Sequence, residues 1–168
     1  MDCDEYSMEI AKQYNVKETH DVKETHDIMN YDTYFMEIAK LVSQRSKDPS
    51  TKHGCVIVDV NNRIISTGYN GPVANMNDKL IDWMRPNKYR WMIHAEDNAV
   101  IFARQDLTNC IVYVTGEPCC DCMRRLAQVG IKRIVYGEIK SKCNDDYGRH
   151  VNEVIARECG ITMHELEK

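Results

Sequence analysis

His94 and Glu96 stand two residues apart in "IHAEDNAV", and Cys119 and Cys122 stand three apart in "GEPCCDC". Imidazole and thiolate are the ligands of zinc, and three such ligands leave the fourth tetrahedral position open to water, as in a catalytic rather than a structural site. Helical spacing selects among the cysteines. Positions three apart share a face, so Cys119 and Cys122 converge on one ion while Cys120 points elsewhere. A helix start favours negative charge and helps keep these thiols ionised, and Pro118 suits the entry because it lacks an amide hydrogen. Zn2+ with two thiolates and a neutral imidazole sums to zero charge, so the ion acidifies water less than an all-histidine site would. A nearby base is needed, and Glu96 supplies it without being a ligand. Taken singly, each residue has a plainer reading: His94 as a surface or cap residue, Glu96 as an exposed helix-start carboxylate, the cysteines as small buried hydrophobes. The joint pattern H-x-E followed by P-C-x-x-C outweighs these readings.

These side chains need strands and helices to bring them together across 28 positions. Tyr34, Ile38, Leu41 and Val42 fall at helical spacing within 31–46, and "KDPS" ends that helix. "HGCVIVDV", "NN" and "RIISTGYN" read as a hairpin around an Asn-Asn turn. "HAEDNAVIFARQ" reads as a helix, "NCIVYVTG" as a strand, "CCDCMRRLAQVG" as a helix closed by Gly130, and "KRIVYG" as a strand. A last helix over 146–159 stops at Gly160, and "GITMH" follows as a short strand. Strands alternating with helices imply crossovers and parallel neighbours. The expected architecture is a three-layer α/β/α fold with a mixed central sheet of about five strands. The connection over 71–93 is too long for a structureless loop and implies a function or a packing role.

Lys and Arg total 22 against 26 Asp and Glu, a formal charge of −4, the wrong sign for tracking a phosphate backbone. No nucleic-acid partner is expected. The apolar runs are shorter than a membrane helix, and the acidic start shows no secretory signal, so a reduced, cytoplasmic protein is expected. "VKETHD" occurs at 16–21 and again at 22–27, and "DEYSMEIAK" at 4–12 returns as "DTYFMEIAK" at 32–40. Residues 1–30 read as an extension carrying a tandem duplication, with His20 and His26 on a solvated arm, and 31–168 as the domain proper.

From Tyr31 to Met163 the chain resembles the deoxycytidylate (dCMP) deaminases of the zinc-dependent cytidine and deoxycytidylate deaminase superfamily. The metal motif carries the superfamily; "SQRSKDPS" and "TGYNG" narrow it to this family. The resemblance implies a cytidine deaminase-like fold and hydrolysis of dCMP to dUMP and ammonia, feeding thymidylate synthesis. It implies a homohexamer, activated by dCTP and inhibited by dTTP, with Mg2+ accompanying the effector triphosphate. It places Asn70 against the deoxyribose, the backbone around Ala95 against the pyrimidine edge, and Arg45, Lys47, Asn70 and Gly71 near the regulatory nucleotide. Trp83, Arg85, Lys88, Tyr89, Arg90 and Trp91 suit either nucleotide contact or a subunit interface, as do Phe102 and Arg104. An aromatic that the family places soon after the strand is either Tyr147, displaced, or missing from this chain. The rival readings are a free-nucleoside cytidine deaminase, a deaminase of bases in nucleic acid, and a non-catalytic zinc module closed by Cys110 or Cys120.

Overall fold

In the computed structural model, residues 28–141 and 144–166 are described. The tandem duplication, with His20 and His26, lies outside them. Helix α1 (Tyr31–Ser43) begins where the Asn30 side chain accepts the Thr33 amide at 2.9 Å, the capping geometry that its residue type favours. Strands β1 (Gly54–Val58) and β2 (Ile64–Tyr69) form the expected hairpin. Its turn is longer than the Asn-Asn pair suggested. The Asp59 carboxylate accepts the amides of Asn61 and Arg63, and Asn62 takes a left-handed conformation (φ 60°), so a side chain organises residues 59–63 in place of a two-residue turn.

The long connection contains a two-stranded ribbon, β3 (Gly71–Pro72) paired with β4 (Met92–Ile93), and two 3-10 turns, Asp78–Leu80 and Asn87–Arg90. Then come α2 (Ala95–Ala103), β5 (Ile111–Gly116), α3 (Cys120–Gln128), β6 (Arg133–Ile139), α4 (Asp146–Cys159) and β7 (Thr162–Glu165).

The main sheet runs β2-β1-β5-β6-β7; β1 is antiparallel to β2 and β5, while β5-β6 and β6-β7 are parallel. It is thus the expected mixed five-stranded sheet. Alternate residues feed two cores. Val56, Val58, Tyr113 and Val135 pack with Phe35, Met36 and Ala39 of α1. Cys55, Ile57, Val112, Val114 and Ile134 face the other way, with Ala95 and Ala99 of α2, Met123 and Leu126 of α3, and Ile155 and Ala156 of α4. Among the described residues, one helix packs on one face and three on the other.

Close approach of β2 to α2 fixes where the second helix begins. A Cβ at Gly68 would lie 2.2 Å from the Ala95 carbonyl oxygen, so only glycine permits this contact. Asn98 adds a hydrogen bond to the Tyr69 carbonyl at 2.8 Å. The start of α2 is thereby held against the sheet.

Candidate active site

Both predicted ligand segments sit at helix starts. His94 is the N-cap residue of α2 and Cys119 that of α3, both extended and neither using its side chain as a cap; Cys122 lies in the first turn of α3. The ligand atoms of His94, Cys119 and Cys122 all lie within 4.8 Å of one another. The His94 Nδ1 faces both sulfurs, 3.2 Å from that of Cys122 and 3.5 Å from that of Cys119. Cys120 is outside the cluster, as its spacing predicts.

The chemistry of this donor set fits a divalent cation. Hydrogen bonding from Cys122 lowers the Cys119 thiol well below its ordinary range, with burial opposing and His94 adding to the lowering, which favours its ionised form. The same Cys119 bond pushes Cys122 up, and His94 is raised chiefly by its bond to Cys119. Two thiolates and an imidazole converging in a buried pocket are ligands that zinc accepts.

Glu96 is 6% exposed, lines the same cleft, and has no salt bridge to Lys or Arg among the described residues. Burial pushes its carboxyl up to about 7, against the opposing charge of His94. A carboxyl poised near neutrality in a cleft can both take and return a proton.

The cleft is lined by His94, Ala95, Glu96 and Cys119 together with Thr51, Asn70, Arg85, Lys88 and Tyr89. The long connection thus supplies part of its wall. Lys88 is 2% exposed and its Nζ donates to both carboxylate oxygens of Asp48, at 2.8 and 2.7 Å, and to Ser50 Oγ at 2.5 Å. Asp48 also accepts the amides of Ser50 and Thr51 and, at 3.3 Å, Asn70 Nδ2. Asn70 Nδ2 donates in addition to the Thr51 carbonyl, and Asn70 Oδ1 accepts the His53 amide at 2.7 Å. Both Asn70 amide hydrogens are engaged within the protein, leaving one lone pair of Oδ1.

A second cavity of about 430 Å³ is lined by Arg45, Lys47 and Gly71 together with Phe102. Asn70 and Gly71 thus line different cavities, so the structure groups three of the four expected effector residues and places Asn70 in the first cleft. Lys47 is paired with Asp78 at 2.5 Å. Trp83, Arg90, Trp91 and Arg104 line neither cavity. Tyr147 is 75% exposed and also lines neither, whereas Tyr89 is in the first.

Several wall residues were not singled out from sequence. Asp48 read as part of a helix terminator, and His53 as the start of a strand. The His53 ring packs over Gly116, where a Cβ would lie 2.7 Å from its Cε1. Burial, and next the charge of His94, lowers the His53 pKa. Asn144 and Asn152, which hold the peptide before Cys119, carried no signal because their partners lie 24–34 residues away.

A mixed sheet with helices on both faces and a His-Cys-Cys cluster at two helix starts defines a class of metal-binding α/β domain. Residues 29–138 match the family described as the cytidine and deoxycytidylate deaminase zinc-binding region, and the chain belongs to that family. The mouse deoxycytidylate deaminase is 33% identical over 145 residues, covering 82% of this chain and 80% of that protein. A probable deoxycytidylate deaminase of Caenorhabditis elegans is 44% identical over 109 residues; the match covers 62% of this chain and 55% of the nematode protein. The crystal structure of dCMP deaminase from the cyanophage S-TIM5 in complex with dCMP and dUMP has the same fold, with TM-score 0.65 at 22% identity, covering 83% of this chain and all of that one.

Proposed function

We propose that this chain hydrolyses dCMP to dUMP and ammonia, supplying dUMP for thymidylate synthesis. One observation carries the reading: a buried carboxyl held near neutrality, Glu96, shares a cleft with the His94, Cys119 and Cys122 donors. The names of the mouse and nematode relatives support the choice of substrate.

In this reading His94 Nδ1 and the sulfurs of Cys119 and Cys122 would hold Zn2+, which when bound would supply Lewis acidity to the attacking water. Glu96 takes the proton of the attacking water as oxygen adds to C4 of the cytosine, and delivers it to N3. Glu96 then takes the proton of the new C4 hydroxyl and passes it to the amine nitrogen as the C4–N bond breaks, so that ammonia departs and a C4 carbonyl remains. Ala95 contributes a first-turn amide, which has no partner within the helix, to the pyrimidine edge. The remaining Oδ1 lone pair of Asn70 accepts from a deoxyribose hydroxyl, and its two engaged hydrogens fix that orientation.

The 5′-phosphate falls to Arg85. Its Nη2 donates to the hydroxyls of Thr51 (3.0 Å) and Ser50 (3.3 Å), and among the described residues no carboxylate pairs with it. Lys88, by contrast, is neutralised by Asp48. Regulation by dCTP and dTTP with Mg2+ belongs, on the same reading, to the second cavity, where Arg45 and Lys47 flank Gly71 and Phe102 offers a ring. A cytoplasmic homohexamer completes the proposal; exposed Trp91, Ile101 and Phe102 are available for subunit contacts, and among the described residues no helix is long and apolar enough to cross a membrane.

Ammonia release from dCMP, deoxycytidine, CMP and dCTP, each with and without dCTP or dTTP plus Mg2+, tests this. dCMP is the expected substrate, with dCTP raising and dTTP lowering the rate. Arg85→Ala should raise KM for dCMP by about 10- to 100-fold, the worth of one charge-assisted phosphate contact. Preference for deoxycytidine over dCMP in the unaltered protein would replace this reading with the nucleoside one.

A further inference from the structure

Cys119 differs from an ordinary helix-start cysteine in what surrounds its backbone. The peptide before it presents the Pro118 carbonyl, which is buried and accepts two side-chain amides: Asn144 Nδ2 at 2.8 Å and Asn152 Nδ2 at 3.0 Å. The peptide after it presents the Cys120 amide, which donates to Asn144 Oδ1 at 3.0 Å. A first-turn amide has no partner within its helix, and a buried carbonyl needs a donor, so both groups are satisfied from outside α3. Both asparagines are buried, 6% and 4% exposed. Their orientations are fixed by chemistry: turning either amide around would set an oxygen against the Pro118 oxygen. The Asn152 Oδ1 is buried and has no hydrogen-bond partner among the described residues.

We infer that Asn144 and Asn152 are positioning residues for the metal ligand Cys119, pinning the two peptide planes on either side of its Cα so that its sulfur stays grouped with the donor atoms of His94 and Cys122. Fixing both planes leaves the Cys119 side-chain torsion as the main freedom of that ligand. Asn152 comes from α4 and Asn144 from just before it, so a helix with no metal ligand of its own sets the geometry of the site. One residue earlier, Glu117 is tied to the same region by Arg149 Nε at 3.2 Å and by the Ser141 amide at 3.4 Å.

The inference rests on the donor trio holding zinc but not on which substrate is turned over. The test is zinc affinity by competition with a chromophoric chelator, on the full chain, together with the visible spectrum of the Co2+-substituted protein. Asn152→Ala and Asn144→Ala should each weaken zinc binding by about 10- to 100-fold, the usual effect of removing a group that orients a ligand. The Co2+ bands should shift or broaden as the arrangement of two sulfurs and one nitrogen loosens. Asn144→Asp keeps the acceptor for the Cys120 amide while losing the donor to Pro118, and should fall between unaltered protein and Asn144→Ala. If Asn144→Ala does not fold, Asn152→Ala and Asn144→Asp decide. Unchanged zinc affinity and Co2+ spectrum, with only a lower unfolding temperature, would overturn the inference. Failure of the unaltered protein to bind zinc would instead remove the metal reading beneath it.

Discussion

Glu96 and Asp48 are both buried carboxyls in the wall of one cleft, 6% and 3% exposed, and their surroundings move them in opposite directions. Burial pushes both up. At Asp48 the Lys88 ammonium and the amides of Ser50 and Thr51 more than reverse that push, and the carboxyl ends below its ordinary value. At Glu96 the charge of His94 offsets burial only in part, and the group settles at about 7. A saturated carboxylate is a strut, fixed in charge and place. One left with open hydrogen-bonding capacity is available to a reactant. The difference separates the scaffold of this cleft from its chemistry more sharply than exposure does.

Glu96→Gln tests the chemical side and should have the largest effect. It keeps shape and removes the titrating proton, so kcat on dCMP should fall by about 10²- to 10⁴-fold while bound zinc, measured by metal analysis, is retained. Near-normal turnover would erase the contrast with Asp48. Lys88→Met tests the strut. It leaves Asp48 charged, buried and without its cation, and denaturant unfolding should show a loss of about 3–5 kcal/mol. Activity should fall with it, because Asp48 also orients Asn70.

Asp32 sharpens the comparison from the opposite face of the sheet. Its carboxylate takes hydrogen bonds from Arg133, at 2.8 and 2.5 Å, and from the Tyr113 hydroxyl at 2.9 Å, tying α1 to β5 and β6. Arg133 bonding lowers its pKa, with burial opposing, but the pair is a quarter to a third exposed. Asp32→Asn should therefore cost only about 1 kcal/mol at neutral pH. A depressed carboxyl stabilises the fold above its unfolded pKa and loses that contribution as pH falls through the folded value. The gap in unfolding midpoint between Asp32→Asn and the unaltered chain should accordingly close on acidification below the ordinary carboxylate range.

Which of these features the sequence reveals follows from how locally each is specified. Zinc accepts few residue types, and helical period ties Cys119 to Cys122, so the donor set was legible from spacing. Alternation of apolar residues and helix-ending glycines likewise gave the sheet and its helices. The Asp48–Lys88 pair spans 40 residues and joins a helix-ending segment to a 3-10 turn, a contact no local pattern encodes. Asn70 and Gly71 illustrate the same limit at the shortest range. Adjacent in "TGYNG", they end in different cavities, because the chain passes there from the main sheet to the β3–β4 ribbon.

The most direct test of the account is ammonia release from dCMP by protein stripped of metal and then reconstituted with zinc. Deamination should disappear with the metal and return with about one equivalent of Zn2+ per chain, as expected of a single open site. Undiminished deamination by the metal-free protein would contradict the assignment of His94, Cys119 and Cys122 as the centre on which Glu96 acts.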